Sequence, residues 1–452
     1  MSTTPGVPSL LHSPVVKVFV TGMVAMVLLI PLVLVGGLVS ERVGRRDEVT
    51  REVSAMWGGR QTTGAIVLTV PFDEVRQVAN GVETVTREAH FLPSALTIAA
   101  DVTPEVRARS IFRVVVYRAR LEFTGRFARP DVARIGATPS VVHWDRARVS
   151  VGVTDMRGVS AVSALTFGEA RVVLEPGAEP GPLMPGGLRA ATPLAATAAP
   201  ATGDAADQGI PFALSMTLAG TEALAFVPAG AATEVTLRTP WPDPAFTGAF
   251  LPESRDVSAA GATARWQVAH FARGYPQAWV GGAIDRDAHR RQVAESEFSV
   301  GLVQAVDQYR QAERAVKYGV LFILLTFVVF FLWEVLASLR LHPVQYVLVG
   351  SALVVFYLLL LSISEHLSFA LAYVVAASAT TLLVTGYASS ILRAGLRGAA
   401  VVGGWLATLY GVLFVLLQLE DLALLVGAVV VFAALAAVMW LTRRIDWDAA
   451  RA

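Results

Sequence analysis

Between residues 317 and 441 five long apolar segments follow one another with almost no charge inside them. A hydrocarbon core about 30 Å thick takes about 20 apolar residues to cross as a helix. Inside it every backbone polar group must be bonded within the protein, which restricts spanning segments to helices or closed barrels. Five such segments in succession commit the chain to a membrane-embedded helical bundle. A sixth lies far upstream at 18–39, VFVTGMVAMVLLIPLVLVGGLV, and a much more polar stretch separates it from the rest. The predicted spans are 18–39, 317–339, 344–363, 367–389, 396–418 and 422–441. They leave short tails at 1–17 and 442–452. The implied fold class is a membrane protein of six transmembrane α-helices, one plus five, with a large β-rich domain at 40–316 inserted between the first and second.

Composition excludes several functions. Charged residues make up 16% of the chain, below the roughly 25% of soluble domains, and the deficit lies in the spans. The net charge of +1 supplies no basic field for nucleic acid. The chain has no cysteine, which removes disulfides, thiolate metal sites and cysteine nucleophiles together. An exported domain of this chain rests on its core alone.

Orientation follows from Lys and Arg in the short connections. Lys17, Arg340, Arg393, Arg397, Arg443 and Arg444 fall on one side, whereas the turns on the other hold Glu365, His366, Glu420 and Asp421. This puts both termini in the cytoplasm and the inserted domain outside, in the periplasm of a Gram-negative cell. Arg42, Arg45, Arg46, Arg310, Arg314 and Lys317 flank the domain and run against this assignment, but long loops translocate largely regardless of charge. Cleavage of the first span as a signal peptide is the alternative. Its apolar stretch exceeds the usual 7–15 residues, and no A-x-A site follows it.

Within the inserted domain, short Val- and Thr-rich runs bounded by Gly, Pro and Asp predict antiparallel strands at 65–70, 95–100, 110–124, 149–153, 171–174, 212–218, 224–227, 234–238 and 264–268. Residues 41–56 read as an outward continuation of the first helix, and 295–316 as one helix leading into the second. The Ala-, Pro- and Gly-rich stretch 176–209 has no aromatic residue and reads as a flexible loop. It either divides two β lobes or interrupts one hairpin. FLP at 91–93 recurs at 250–252, a faint trace of duplication.

Chemistry is sparse. His90, His143 and His270 are scattered among different segments, Asp145 and Asp155 lie close in sequence but two carboxylates alone read as a solvated face, and none of the five belongs to a recognised catalytic or metal-binding motif. The turn WPDPAF at 241–246 is distinctive. Trp241, Pro242 and Phe246 either cap the β core or present an aromatic surface. In the bundle, Glu334 is the main intramembrane ionisable group, and such groups are expensive and often functional. It is read either as a carboxylate bonded near the interface or as a functional contact. Arg340 precedes the turn His342-Pro343, where Pro343 suits the first turn of a helix. Glu365 and His366 form the opposite turn and cap a helix. Small residues at 376–380 and 403–405 predict close helix packing.

The stretch 340–366, RLHPVQYVLVGSALVVFYLLLLSISEH, with Trp333-Glu334 ahead of it, resembles the CreD family of bacterial inner-membrane proteins, also described as cell envelope integrity proteins. DQYRQAERAVKYGVLFILLT at 307–326, WPDPAFTGAFLP at 241–252 and LTRRIDW at 441–447 extend the resemblance in family order; 176–209 departs from it. The resemblance implies a product of a regulon under a sensor kinase and response regulator, associated with envelope integrity and with responses to agents acting on the cell wall. It brings no catalytic mechanism. The expected function is envelope integrity and envelope stress response through a periplasmic module, without catalysis, cofactor or metal. The partners expected are the lipid bilayer and either envelope proteins or cell-wall components, with no nucleic acid. Alternatives are a transporter or lipid-handling protein built on the bundle and Glu334, and a ligand sensor built on the 241–246 turn.

Overall fold

The computed structural model describes residues 14–78, 81–177, 183–184, 186–194, 209–281, 286–302, 308–336, 341–391, 395–419 and 422–443. The described helices are α1 (Pro14–Trp57), α2 (Arg286–Glu295), α3 (Gln308–Leu336), α4 (Pro343–Ser364), α5 (Phe369–Ile391), α6 (Gly395–Gln418) and α7 (Ala423–Thr442). Six of them are long and apolar enough to cross a membrane. The chain divides into two compact units, 1–47 with 306–452 and 48–305.

In the helical unit, small residues set the packing. A Cβ at Gly350 of α4 would collide with Leu28 of α1 and stand 2.9 Å from Phe327 of α3, so the three helices close here only around glycine. Gly403 of α6 lies similarly against Thr385 of α5, 2.8 Å from where its Cβ would stand. Ala376 and Thr380 are buried, as the small-residue run at 376–380 predicts. Phe356 and Tyr357 of α4, Tyr373 of α5 and Tyr410 of α6 form an aromatic interior, and Tyr373 Oη donates to the Tyr410 carbonyl at 2.6 Å. α7 is different. Leu424 is 86% exposed and Phe432 74%.

In the β unit, two sheets of ten and nine described strands share one hydrophobic core. The strand Gln61–Val78 is buried continuously from 61 to 72, the signature of a central strand covered on both faces. It pairs antiparallel with Gly81–Phe91, Pro139–Val142 and Arg148–Val153, and parallel with Ala223–Phe226. In the other sheet Ala95–Arg109 alternates strictly over its first half, with Leu96, Ile98, Ala100 and Val102 turned inward. Its hairpin partner is Phe112–Phe127, and its parallel partner is Ala232–Thr239. Two parallel pairings thus qualify the all-antiparallel expectation. Gly64, at φ +99°, lets the two sheets approach: a Cβ there would meet the Val227 carbonyl at 2.9 Å and Ile98 at 3.2 Å.

Every predicted strand is present, and α1 continues through 41–56. Three expectations change. Residues 295–316 are not one helix, because Phe298–Gly301 is a strand between Ala223–Phe226 and Ala245–Gly248. All four of its residues are buried, and Phe298 stacks on Trp266 at 5.3 Å. The helix resumes only at Gln308, and 303–307 lie outside the described residues. The 176–209 stretch is not all loop. Gly187–Ala191 pairs with Arg148–Val153, and Leu183, Met184 and Leu188 anchor it in the core. Finally, strands at Gly81–Phe91 and Ser254–Ser258 and the helix α2 have no counterpart among the elements expected from sequence. Their polar, exposed faces carry too little apolar periodicity to register.

Candidate functional site

Glu334, His342 and Pro343 come together where the end of α3 meets the start of α4. Glu334 lies in the last turn of α3 and is 4% exposed. A carboxylate at a helix C-terminus meets the negative end of the dipole, yet this one faces the start of the next helix. Glu334 Oε1 accepts from the Leu341 backbone N–H at 3.2 Å, and Oε2 accepts from Tyr346 Oη at 3.0 Å. The positive end of α4 supplies the favourable field. The Tyr346 ring is held edge-on by Phe327 at 5.4 Å and by Phe330 at 6.3 Å. His342 is the N-cap of α4. Its Nδ1 accepts from the Val344 N–H at 3.4 Å, and Gln345 Oε1 accepts from the His342 N–H at 3.0 Å. Pro343 occupies the first helical position, where its missing N–H costs nothing. Arg340 lies outside the described residues. The carboxylate–tyrosine bond ties the end of α3 to the first turn of α4, and the cap secures the start of α4.

At the opposite turn, Glu365 is the C-cap of α4 and pairs with Arg42 Nε of α1 at 3.3 Å. His366 is exposed, and its N–H donates to the Ile363 carbonyl. A second basic residue acts nearby in the bundle. Arg314 of α3 donates through Nη2 to the carbonyls of Leu416 and Leu419, both at 3.1 Å, closing the end of α6. Sequence marks Arg42 and Arg314 only as flanking charges, because each partner lies on a helix remote in the chain.

The WPDPAF turn caps the β core. Phe246 lies edge-on against Trp266 at 5.6 Å, Pro244 is buried, and Trp241 packs against the core. Pro242 and Asp243 are exposed. The three histidines stay apart: His90 bonds with Thr69 (3.0 Å), His143 with Asp73 (2.9 Å), and His270 with the Ala231 carbonyl (3.3 Å). The Thr86 hydroxyl and then His143 hold the Asp73 carboxyl below the usual carboxylate range. Asp155 also titrates low, chiefly because Arg157 donates to both its oxygens, and Gly59 N–H donates to Oδ2 at 3.3 Å. Among the described residues no cluster of His, Cys, Asp or Glu is arranged to hold a metal ion.

One β-domain group is hidden from sequence. His289 of α2 is 2% exposed, stacked on Trp279 at 4.6 Å and near Tyr275 at 5.9 Å. Neither ring nitrogen has a hydrogen-bond partner among the described residues. Burial, and then the charge of Arg273, push its pKa down. The signal available in sequence is weak, a lone histidine in a charged helix.

The family model described as inner membrane protein CreD matches residues 13–448, from the first span through the last. The chain belongs to the CreD family. A CreD-family relative, the inner membrane protein CreD of Escherichia coli (strain K12), is 34% identical over 430 residues, covering 94% of this chain and 91% of that protein. CreD membership covers both the helical bundle and the β unit, including the Glu334–Tyr346 turn and the Trp241–Phe246 cap, and it supports an inner-membrane protein with six spans.

Proposed function

We propose that the chain maintains the cell envelope from the inner membrane, with its β unit in the periplasm, and acts by binding rather than by catalysis. The observation that carries this reading is how the β unit uses its polar groups. Asp155, Asp73 and Glu74 are each tied into local hydrogen bonds that secure strands or turns: Asp155 with Gly59 and Arg157, Asp73 with Thr86 and His143, and Glu74 with Arg87 and Thr138. Functional carboxylates converge on a cleft with opposed environments; each of these is instead paired with its own neighbours. Membership of the CreD family supports the inner membrane, and the Arg-bearing short turns support a periplasmic β unit.

Transport through the bundle has less support, since both Glu334 oxygens are engaged by the α3–α4 turn. A test replaces the β unit by a short linker in the full chain and measures survival on agents that attack the cell wall. Loss of resistance is expected, with full resistance kept by the double substitution Asp73→Asn, His143→Ala. Resistance that survives the deletion, in a protein still inserted in the membrane, would overturn the reading.

A further inference from the structure

α3 and α7 flank an open groove of about 780 Å³. Leu321 of α3 and Leu424, Val431, Phe432 and Leu435 of α7 line it, and Arg314 and Tyr318 stand at one end. α7 meets the rest of the bundle along a narrow line, as the exposure of Leu424, Leu425 and Phe432 records. A Cβ at Gly427 would meet nothing within 4 Å, so the glycine widens the groove without serving protein contact.

Three occupants can be weighed. Water requires two to four polar partners per molecule, and along this wall only Arg314 and Tyr318 offer them. A helix from a second copy, about 10 Å across, is too wide to enter and could only lay side chains into the groove from its open face. A methylene chain is thin, linear and apolar, and it fits. The end of the groove has the matching charge. Arg314 lies three residues before the apolar stretch that begins at 317, and the carbonyls of Leu416 and Leu419 hold its guanidinium where that stretch starts. Guanidinium groups carry several donors in a planar fork suited to phosphate. Tyr318, one turn on, is an interfacial residue type.

We propose that the α3–α7 groove holds an acyl chain of a phospholipid whose phosphate sits at Arg314, and that this lipid is the packing partner that seats α7. The test uses the full chain in nanodiscs with phosphatidylethanolamine or phosphatidylglycerol bearing a photoreactive acyl chain, and cross-linked peptides are mapped by mass spectrometry. Labelling of Leu321, Val431 and Leu435 is expected to exceed that of the outer face of α5, at Leu371 and Val375, several-fold. Gly427→Trp, which fills the groove from an open position, is expected to bring it down to the α5 level. Leu435→Trp is a second filling variant should the first fail to insert. Arg314→Gln is expected to lower the phospholipid retained through detergent purification, and comparison of the two headgroups tells phosphate recognition from recognition of net charge. Equal labelling of α5 and α7 would mean annular lipid only and overturn the proposal. So would a Phe432→Cys variant forming a disulfide-linked dimer in place of groove labelling, because the occupant would then be a second copy.

Discussion

Tyr346 Oη donates to Glu334 Oε2 at 3.0 Å, so a tyrosine in the first turn of α4 satisfies a buried carboxylate in the last turn of α3. Removing the tyrosine hydroxyl takes one donor from the buried carboxylate, at a cost of about 1–3 kcal/mol. Tyr346→Phe is therefore expected to lower the stability of the helical unit by that amount. Glu334→Leu, which removes the carboxylate, should make the tyrosine change cost much less. Thermal unfolding of the single and double variants in detergent reads the coupling; additive losses would break the link between the two residues.

Asp155 receives the Arg157 side chain at 2.8 and 2.9 Å and the Gly59 N–H at 3.3 Å. Its carboxyl is held low, so its contribution is fully present above the ordinary carboxylate range near about 3.9. It is lost as pH falls from there through the depressed folded value. Asp155→Asn is expected to flatten this acid limb of the stability profile. An unchanged slope below pH about 4 in urea titrations would refute it.

His289 titrates in the opposite sense for charge. Burial depresses its folded pKa, so below the ordinary histidine value near about 6.5 the unfolded chain takes up a proton that the folded chain resists. Stability is complete above that value and declines as pH falls through it. His289→Phe keeps a ring against Trp279 and should remove this decline. Hydrogen exchange in α2, compared between about one pH unit below and one above the ordinary histidine value, is the readout. Equal pH sensitivity in wild type and variant would contradict the assignment.

The absence of cysteine makes the sidedness of the chain directly measurable. Arg134 has a side chain 87% exposed on the β unit. Arg134→Cys is expected to react with a membrane-impermeant maleimide in intact spheroplasts, whereas Ala452→Cys should react only after lysis. The reverse pattern would invert the topology.

The spans were legible because a helix in hydrocarbon needs a continuous apolar run, which nothing else in the chain imitates. Central strands were legible for a related reason: 65–70 and 95–100 are too apolar to sit elsewhere. Phe298–Gly301 was hidden because four residues flanked by helical patterns carry no period of their own, and only pairing with Ala223–Phe226 and Ala245–Gly248, with Trp266 packed on Phe298, makes it a strand. Leu183 and Met184 were masked by the prolines and alanines around them. At the candidate site, Glu334, His342 and Pro343 were visible as unusual residues in an apolar context. Their partners were not, since Tyr346 looks like one more aromatic of a span, and Arg42 and Glu365 meet only once the bundle is folded.

Trp57 ends α1 between two guanidinium groups, Arg107 at 4.0 Å and Arg118 at 5.1 Å from its ring, while Glu52 meets Arg109 and Ser54 meets Thr221. Together these contacts give the end of the helix an angular phase. Each residue inserted in a helix rotates the remainder by about 100°. One residue added between Ser54 and Trp57 would therefore swing the indole out of its slot while Ser54 kept its partner. The last turn and a half of α1 behaves as a key cut for the β unit: its exposed residues are free to vary, but in chains built this way the spacing from 52 to 57 should tolerate neither insertion nor deletion.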